Sequence, residues 1–123
     1  MCQGFGLIVS KELKAYFIEP DYNGNCSHSD ILDRLGWKEN DSKFLRNFVR
    51  IEYPDWTPAS FRFDEENTLP GWAENNRDDI RTKCEGRLKL CAPAWAEYDK
   101  VCAPAWAELI TAFSKIEGHV AKP

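Results

Sequence analysis

Apolar and polar positions alternate early in this chain and then change period. Residues 4–19, "GFGLIVSKELKAYFIE", place Phe5, Leu7 and Val9 on one face of a first strand, and Leu13, Ala15 and Phe17 on one face of a second. A period of two marks a half-buried strand, and the polar Ser10-Lys11-Glu12 between the runs predicts a hairpin. "FVRIEYP" repeats the pattern with Val49, Ile51 and Tyr53, and "SFRFD" sets Phe61 and Phe63 against Arg62 and Asp64. Asn23-Gly24 predicts a turn, and a short helix is expected over 29–35 with Ile31, Leu32 and Leu35 on its apolar side. Ser27 and Asp30 stand in capping-box spacing, and Gly36 sits where a left-handed C-cap belongs. "NDSKFLRNF" offers one more helical turn, and Pro70-Gly71 breaks the chain in "NTLPGW".

From Asn76 the period becomes that of a helix. Ile80, Cys84, Leu88, Cys91, Trp95, Tyr98, Cys102, Trp106, Leu109, Phe113 and Ile116 follow one another at steps of three or four. Within this stripe the seven residues C-A-P-A-W-A-E occur twice, eleven positions apart. Eleven residues in three turns is about 3.67 per turn, so the repeat keeps its Cys and Trp on one face while Pro93 and Pro104 fall on the other. The pattern predicts one long helix kinked at the prolines, or short helices broken at each Ala-Pro. About forty helical residues span roughly 60 Å, whereas strands of ordinary length cover about 20 Å. Trp95, Tyr98 and Trp106 can pack as core against the sheet; the excess of length predicts instead that Trp95, Tyr98, Trp106, Leu109 and Phe113 overhang it and meet a second copy. The fold class is α+β: about four antiparallel strands, one short helix and a long C-terminal helix, organised as residues 1–75 and 76–120.

The 123 residues suit one compact domain, and 43% hydrophobic content can build its core. A formal net charge of −4 argues against nucleic acid as a partner. No apolar run reaches the roughly 18 residues of a membrane span, and the N-terminus lacks the features of a secretory signal. Five Cys is an odd number, which predicts free thiols and a cytoplasmic setting rather than a disulfide framework.

Candidate chemistry gathers in two segments, "CSHSD" and "FRFDEE". His28 and Asp30 stand at a helix entry, whose free N–H groups favour an anion, and Arg62 can clamp a phosphate or carboxylate. Trp56 and Trp72 flank the second segment and offer stacking surface. His28, Asp30, Trp56, Arg62, Asp64 and Trp72 form the expected recognition surface, for an anionic small molecule or a host protein. The alternative is structural: a capped helix, and Arg62 paired with an acid across the sheet. Cys26-x-His28 is a single pair with no second pair at useful spacing, so neither metal nor cofactor is expected, and His119 reads as a favourable charge at a helix end.

"CSHSDILDRLGW", "SFRFDEENTLPGW" and the tandem "CAPAWAEYDKV" resemble a group of phage and gut-bacterial proteins whose tails carry variable numbers of such repeats. The resemblance covers most of the chain and brings no activity with it. It implies a mobile-element setting, in which small inhibitors of host defence proteins and ligand sequesterers are common. A non-catalytic binding protein, oligomeric through its C-terminal helix, is the resulting expectation. The alternative is an enzyme using His28 and Asp30 as acid and base, or Cys2 as an N-terminal nucleophile. "MCQGFG" resembles the start of glutamine-amidotransferase domains, but those are much longer and their Arg and Asn-Gly pattern has no convincing counterpart here.

Overall fold

The computed structural model describes residues 4–20, 25–37, 46–64, 69–101 and 106–121, with the side chains of 97–101 and 106 outside that description. Strand β1 (Phe5–Ser10) pairs antiparallel with β2 (Ala15–Tyr16) on one side and with β3 (Phe48–Tyr53) on the other. Strand β4 (Arg62–Phe63) extends the sheet, giving the order β2-β1-β3-β4 in the expected α+β fold. The pairing of Phe5 with Tyr53, Leu7 with Ile51 and Val9 with Val49 puts all six on one face, because directly opposed residues share a side. Central β1 is buried along its whole length, since both faces of the sheet are covered.

The hairpin is tighter than the alternation suggests. Leu13 adopts a left-handed φ of 64°, and its N–H donates to the Ser10 carbonyl at 2.8 Å. The turn thus consumes the first apolar residue of the expected second strand. Phe17, the last of that set, pairs instead with the C-terminal segment: its N–H donates to the Gly118 carbonyl at 3.0 Å, and it accepts from the Val120 N–H at 2.8 Å. Gly118 has φ 103°, and a Cβ there would collide with the Ala15 carbonyl, so this close approach requires glycine.

Helix α1 (His28–Leu35) covers one face, burying His28, Ile31 and Leu32. At Gly6 a Cβ would run into the Cys26 carbonyl and the His28 ring, so glycine lets α1 lie close on β1. Gly36 ends the helix at φ 75° as expected, but the capping box does not form, because Ser27 is the N-cap without a side-chain hydrogen bond. The Asn23-Gly24 turn and most of "NDSKFLRNF" lie outside the described residues.

The other face carries α2 (Gly71–Asn75), α3 (Arg77–Val101) and α4 (Trp106–Ser114). Pro70 is the N-cap of α2, so the expected break is where the helical part starts. Ile80, Cys84, Leu88 and Cys91 are buried on the sheet, as the stripe predicts, and α3 runs through Pro93, which is exposed. Residues 102–105, with Cys102 and Pro104, and the side chains of Tyr98 and Trp106 lie outside the described residues.

A single rod is not what forms. Thirty helical residues from Arg87 to Glu117 would separate them by about 45 Å, yet Arg87 Nη2 stands 3.6 Å from Glu117 Oε2. The chain turns back, and α4 packs on α3. Leu109 and Phe113, expected at an interface between copies, are 3% and 0% exposed inside the protomer, and Phe113 meets Phe17 edge-on at 6.0 Å. The area those residues were expected to offer a partner is spent on the protein's own sheet, at about 1.5–3 kcal/mol for each large side chain buried.

Candidate anion-binding site

The return of the C-terminal segment to the sheet edge creates a cavity of about 440 Å³. Its walls are Lys14 with Ala15 and Tyr16 of β2, Leu35 at the end of α1, Lys83 and Arg87 on α3, and residues 117–121. Lys83 and Arg87 are four apart, so one helical face presents both. They flank the buried Cys84 and Leu88, which hold that face of α3 against the core.

Behind the C-terminal wall lies a closed ionic network. Arg34 donates from Nη1 to Glu19 Oε1 and to the Val120 carbonyl, each at 2.9 Å, and from Nη2 to Glu19 Oε2. His119 donates from Nε2 to Glu19 Oε1 at 3.0 Å. Burial pushes the Glu19 carboxyl up, but the hydrogen bonds and charges of His119 and Arg34 outweigh it and hold the group down at about 2. This network ties α1, the chain after β2 and the C-terminal segment into one wall. His119 therefore pairs with an acid beyond the last helix, instead of acting as a charge at that helix's end.

Arg87 faces the cavity in a different state. Its side chain is only 16% exposed, and its Nε is buried with no hydrogen-bond partner among the described residues. Its contact with Glu117 is beyond hydrogen-bonding distance, and the Glu117 side chain is 90% exposed. Lys14 and Lys83 are exposed at the rim. A planar guanidinium beside two ammonium groups and one loosely held carboxylate has the chemistry to receive a two-oxygen anion.

The expected recognition residues are placed elsewhere. His28 is buried and donates from Nε2 to the Ile51 carbonyl at 2.9 Å. Burial lowers the imidazole's affinity for a proton, against the opposing pull of that carbonyl, so His28 does not offer an anion a charge. Asp30 is exposed in the first turn of α1. Arg62 binds Glu52, and Asp64 lies 3.5 Å from Arg50, so these residues form ion pairs within the sheet. Trp56, at φ 58°, stacks on Phe5 at 5.0 Å and on Trp95 at 5.7 Å, on the face away from α1. Trp72 donates from its indole nitrogen to the Arg46 carbonyl at 2.7 Å. The expected set is thus divided between the two faces of the sheet, and all of it but the exposed Asp30 is held by partners of its own.

Lys14, Lys83 and Arg87 were not legible as a site, nor Glu19 and Arg34 as the network behind it. The only local signal was the four-residue spacing of Lys83 and Arg87 beside the stripe.

Cys26, Cys84 and Cys91 are buried, Cys84 and Cys91 as free thiols, and Cys2 lies outside the described residues. Burial pushes the Cys84 and Cys91 thiols well up, against a weaker opposing influence of Arg87. Among the described residues, no group of three or more His, Cys, Asp or Glu is placed to hold a metal ion, and no helix is long and apolar enough to cross a membrane.

No family model, curated protein or solved structure matches the chain. Function is accordingly read from the geometry of the cavity.

Proposed function

We propose that the protein is a non-catalytic binding protein that sequesters a small anionic molecule in the cavity between β2, α3 and the C-terminal segment. One observation carries the reading: Arg87, its side chain 16% exposed, lines a space of about 440 Å³ and meets the Glu117 carboxylate only at 3.6 Å, outside hydrogen-bonding distance. A largely buried guanidinium so loosely matched calls for a partner. The cavity lies within the size range of small-molecule sites, and its charged rim gives an acidic protein a local positive field. The mobile-element setting implied by the tail repeat agrees with a sequestering role. Its choice over inhibition of a host protein rests on the concave shape of the site.

The test is thermal unfolding of the full chain in graded inorganic phosphate against chloride at matched ionic strength. A ligand at ten times its Kd stabilises by about 1.4 kcal/mol. The wild type should rise in Tm, with Lys83→Gln and Arg87→Gln rising less. A wild-type Tm indifferent to phosphate rules the reading out.

A further inference from the structure

We infer that the anion taken by this cavity is a doubly charged phosphomonoester carried on a small apolar or aromatic body. The inference rests on the anion-binding reading and names its ligand class.

Charge is the first argument. Lys14, Lys83 and Arg87 line the cavity against the single carboxylate of Glu117, a surplus of two positive charges. Behind the wall, Glu19 is already matched by Arg34 and His119. A phosphomonoester carries about −1.5 to −2 at pH 7 and neutralises the surplus. A carboxylate or a sulfate ester leaves one positive charge uncompensated in a partly desolvated site.

Geometry is the second. Arg87 lines the cavity, and the planar end of its guanidinium, whose Nη2 stands outside hydrogen-bonding distance of Glu117, offers a two-toothed fork that matches two oxygens of one phosphoryl group. The Glu117 carboxylate stands on the Nη2 side of that fork at 3.6 Å, in the role of a weak internal substitute for the ligand. Glu117 is 90% exposed and outside hydrogen-bonding distance, so a dianion displaces it readily.

Shape is the third. A bare phosphate fills only part of about 440 Å³, and the remaining lining is largely apolar. Tyr16 is half-buried and held edge-on by Trp37 at 5.9 Å, which fixes its ring as a wall. Leu35 and Val120 continue that wall. The phosphate would sit at Arg87 and Lys83, with its organic body along Tyr16.

Calorimetric titration of the full chain at one pH with phenyl phosphate, phenyl sulfate, benzoate and inorganic phosphate tests this. Phenyl phosphate should bind about tenfold or more tighter than phenyl sulfate or benzoate, the worth of one further charge near a protein surface. It should also bind tighter than inorganic phosphate. Arg87→Lys, which keeps the charge and loses the fork, should weaken phenyl phosphate about tenfold. Should Arg87→Lys fold poorly, the exposed Lys83→Gln must still weaken the phosphate more than the sulfate. Equal binding of all the organic anions leaves an anion site but overturns the dianion. Equal binding of inorganic and phenyl phosphate overturns the organic body. If none of the four binds, the anion-binding reading itself falls.

Discussion

Arg34 and Arg87 are two arginines of one kind in two different states. Each side chain is 16% exposed, and each meets the same C-terminal segment, Arg34 at the Val120 carbonyl and Arg87 at Glu117. Arg34 spends its donors on both oxygens of Glu19 and on the Val120 carbonyl. Among the described residues, Arg87 Nε has no hydrogen-bond partner, and its guanidinium meets the loose carboxylate of Glu117. Burial alone therefore does not separate a structural charge from a receptive one; the use made of its donors does. By the same measure the pair of Arg62 with Glu52 belongs with Arg34. It ties β4 to β3, although residue type alone suggested a recognition surface.

This contrast can be broken in several ways. The largest effect should come from Arg34→Ala. It strands the buried Glu19 carboxylate, and loss of one partner of a buried pair typically costs about 3–5 kcal/mol. Urea unfolding of Arg87→Gln should show a change within about 1 kcal/mol in either direction, because no hydrogen bond is lost at Nε. Similar large losses from both variants would erase the distinction.

The second effect is in pH. Glu19 is held at about 2 in the folded chain against an ordinary value of 4.5. Its folded value is lowered, so its contribution is complete above pH 4.5 and is lost as pH falls toward 2. At about 1.36 kcal/mol per pKa unit, that contribution is on the order of 3 kcal/mol. Stability measured from pH 6 to pH 2.5 should fall along this limb in the wild type, and much less steeply in Glu19→Gln. Identical slopes would show that the network does not hold the proton off.

Arg62→Ala should come next. Glu52 is buried, but Arg62 is 57% exposed, so water can partly replace the lost guanidinium. A loss of about 1–3 kcal/mol is expected, with binding of phosphate unchanged. Full stability with lost binding would restore Arg62 to the recognition surface. The smallest effect should be that of Glu117→Gln, within about 0.5 kcal/mol of wild type in stability. It should raise phosphate affinity, and weakened binding would make Glu117 a supporting group, not a competitor.

Much of the fold was legible because it is written in local periods. Phe5, Leu7 and Val9 do share a face with Val49, Ile51 and Tyr53, and Ile80, Cys84, Leu88 and Cys91 are core. The reversal between α3 and α4 was not legible. An eleven-residue repeat keeps its phase whether the chain runs on or folds back, so Leu109 and Phe113 fit an overhanging rod and an internal core equally well. The site was hidden for a related reason. Glu19 and His119 are 100 residues apart in sequence, and nothing local distinguishes an arginine that finds such partners from one that does not. His28 misled for the opposite reason: an imidazole at a helix entry looks receptive until the Ile51 carbonyl and the covering sheet are seen to occupy it.

The most direct test of the contrast is to follow the Nε–Hε resonances of the arginines by NMR while inorganic phosphate is added to the full chain. The account predicts that the Arg87 resonance shifts on binding and becomes slower to exchange with water, while those of Arg34 and Arg62 stay in place. A shift at Arg34 or Arg62 with Arg87 unmoved, or no movement at any of the three, would contradict it.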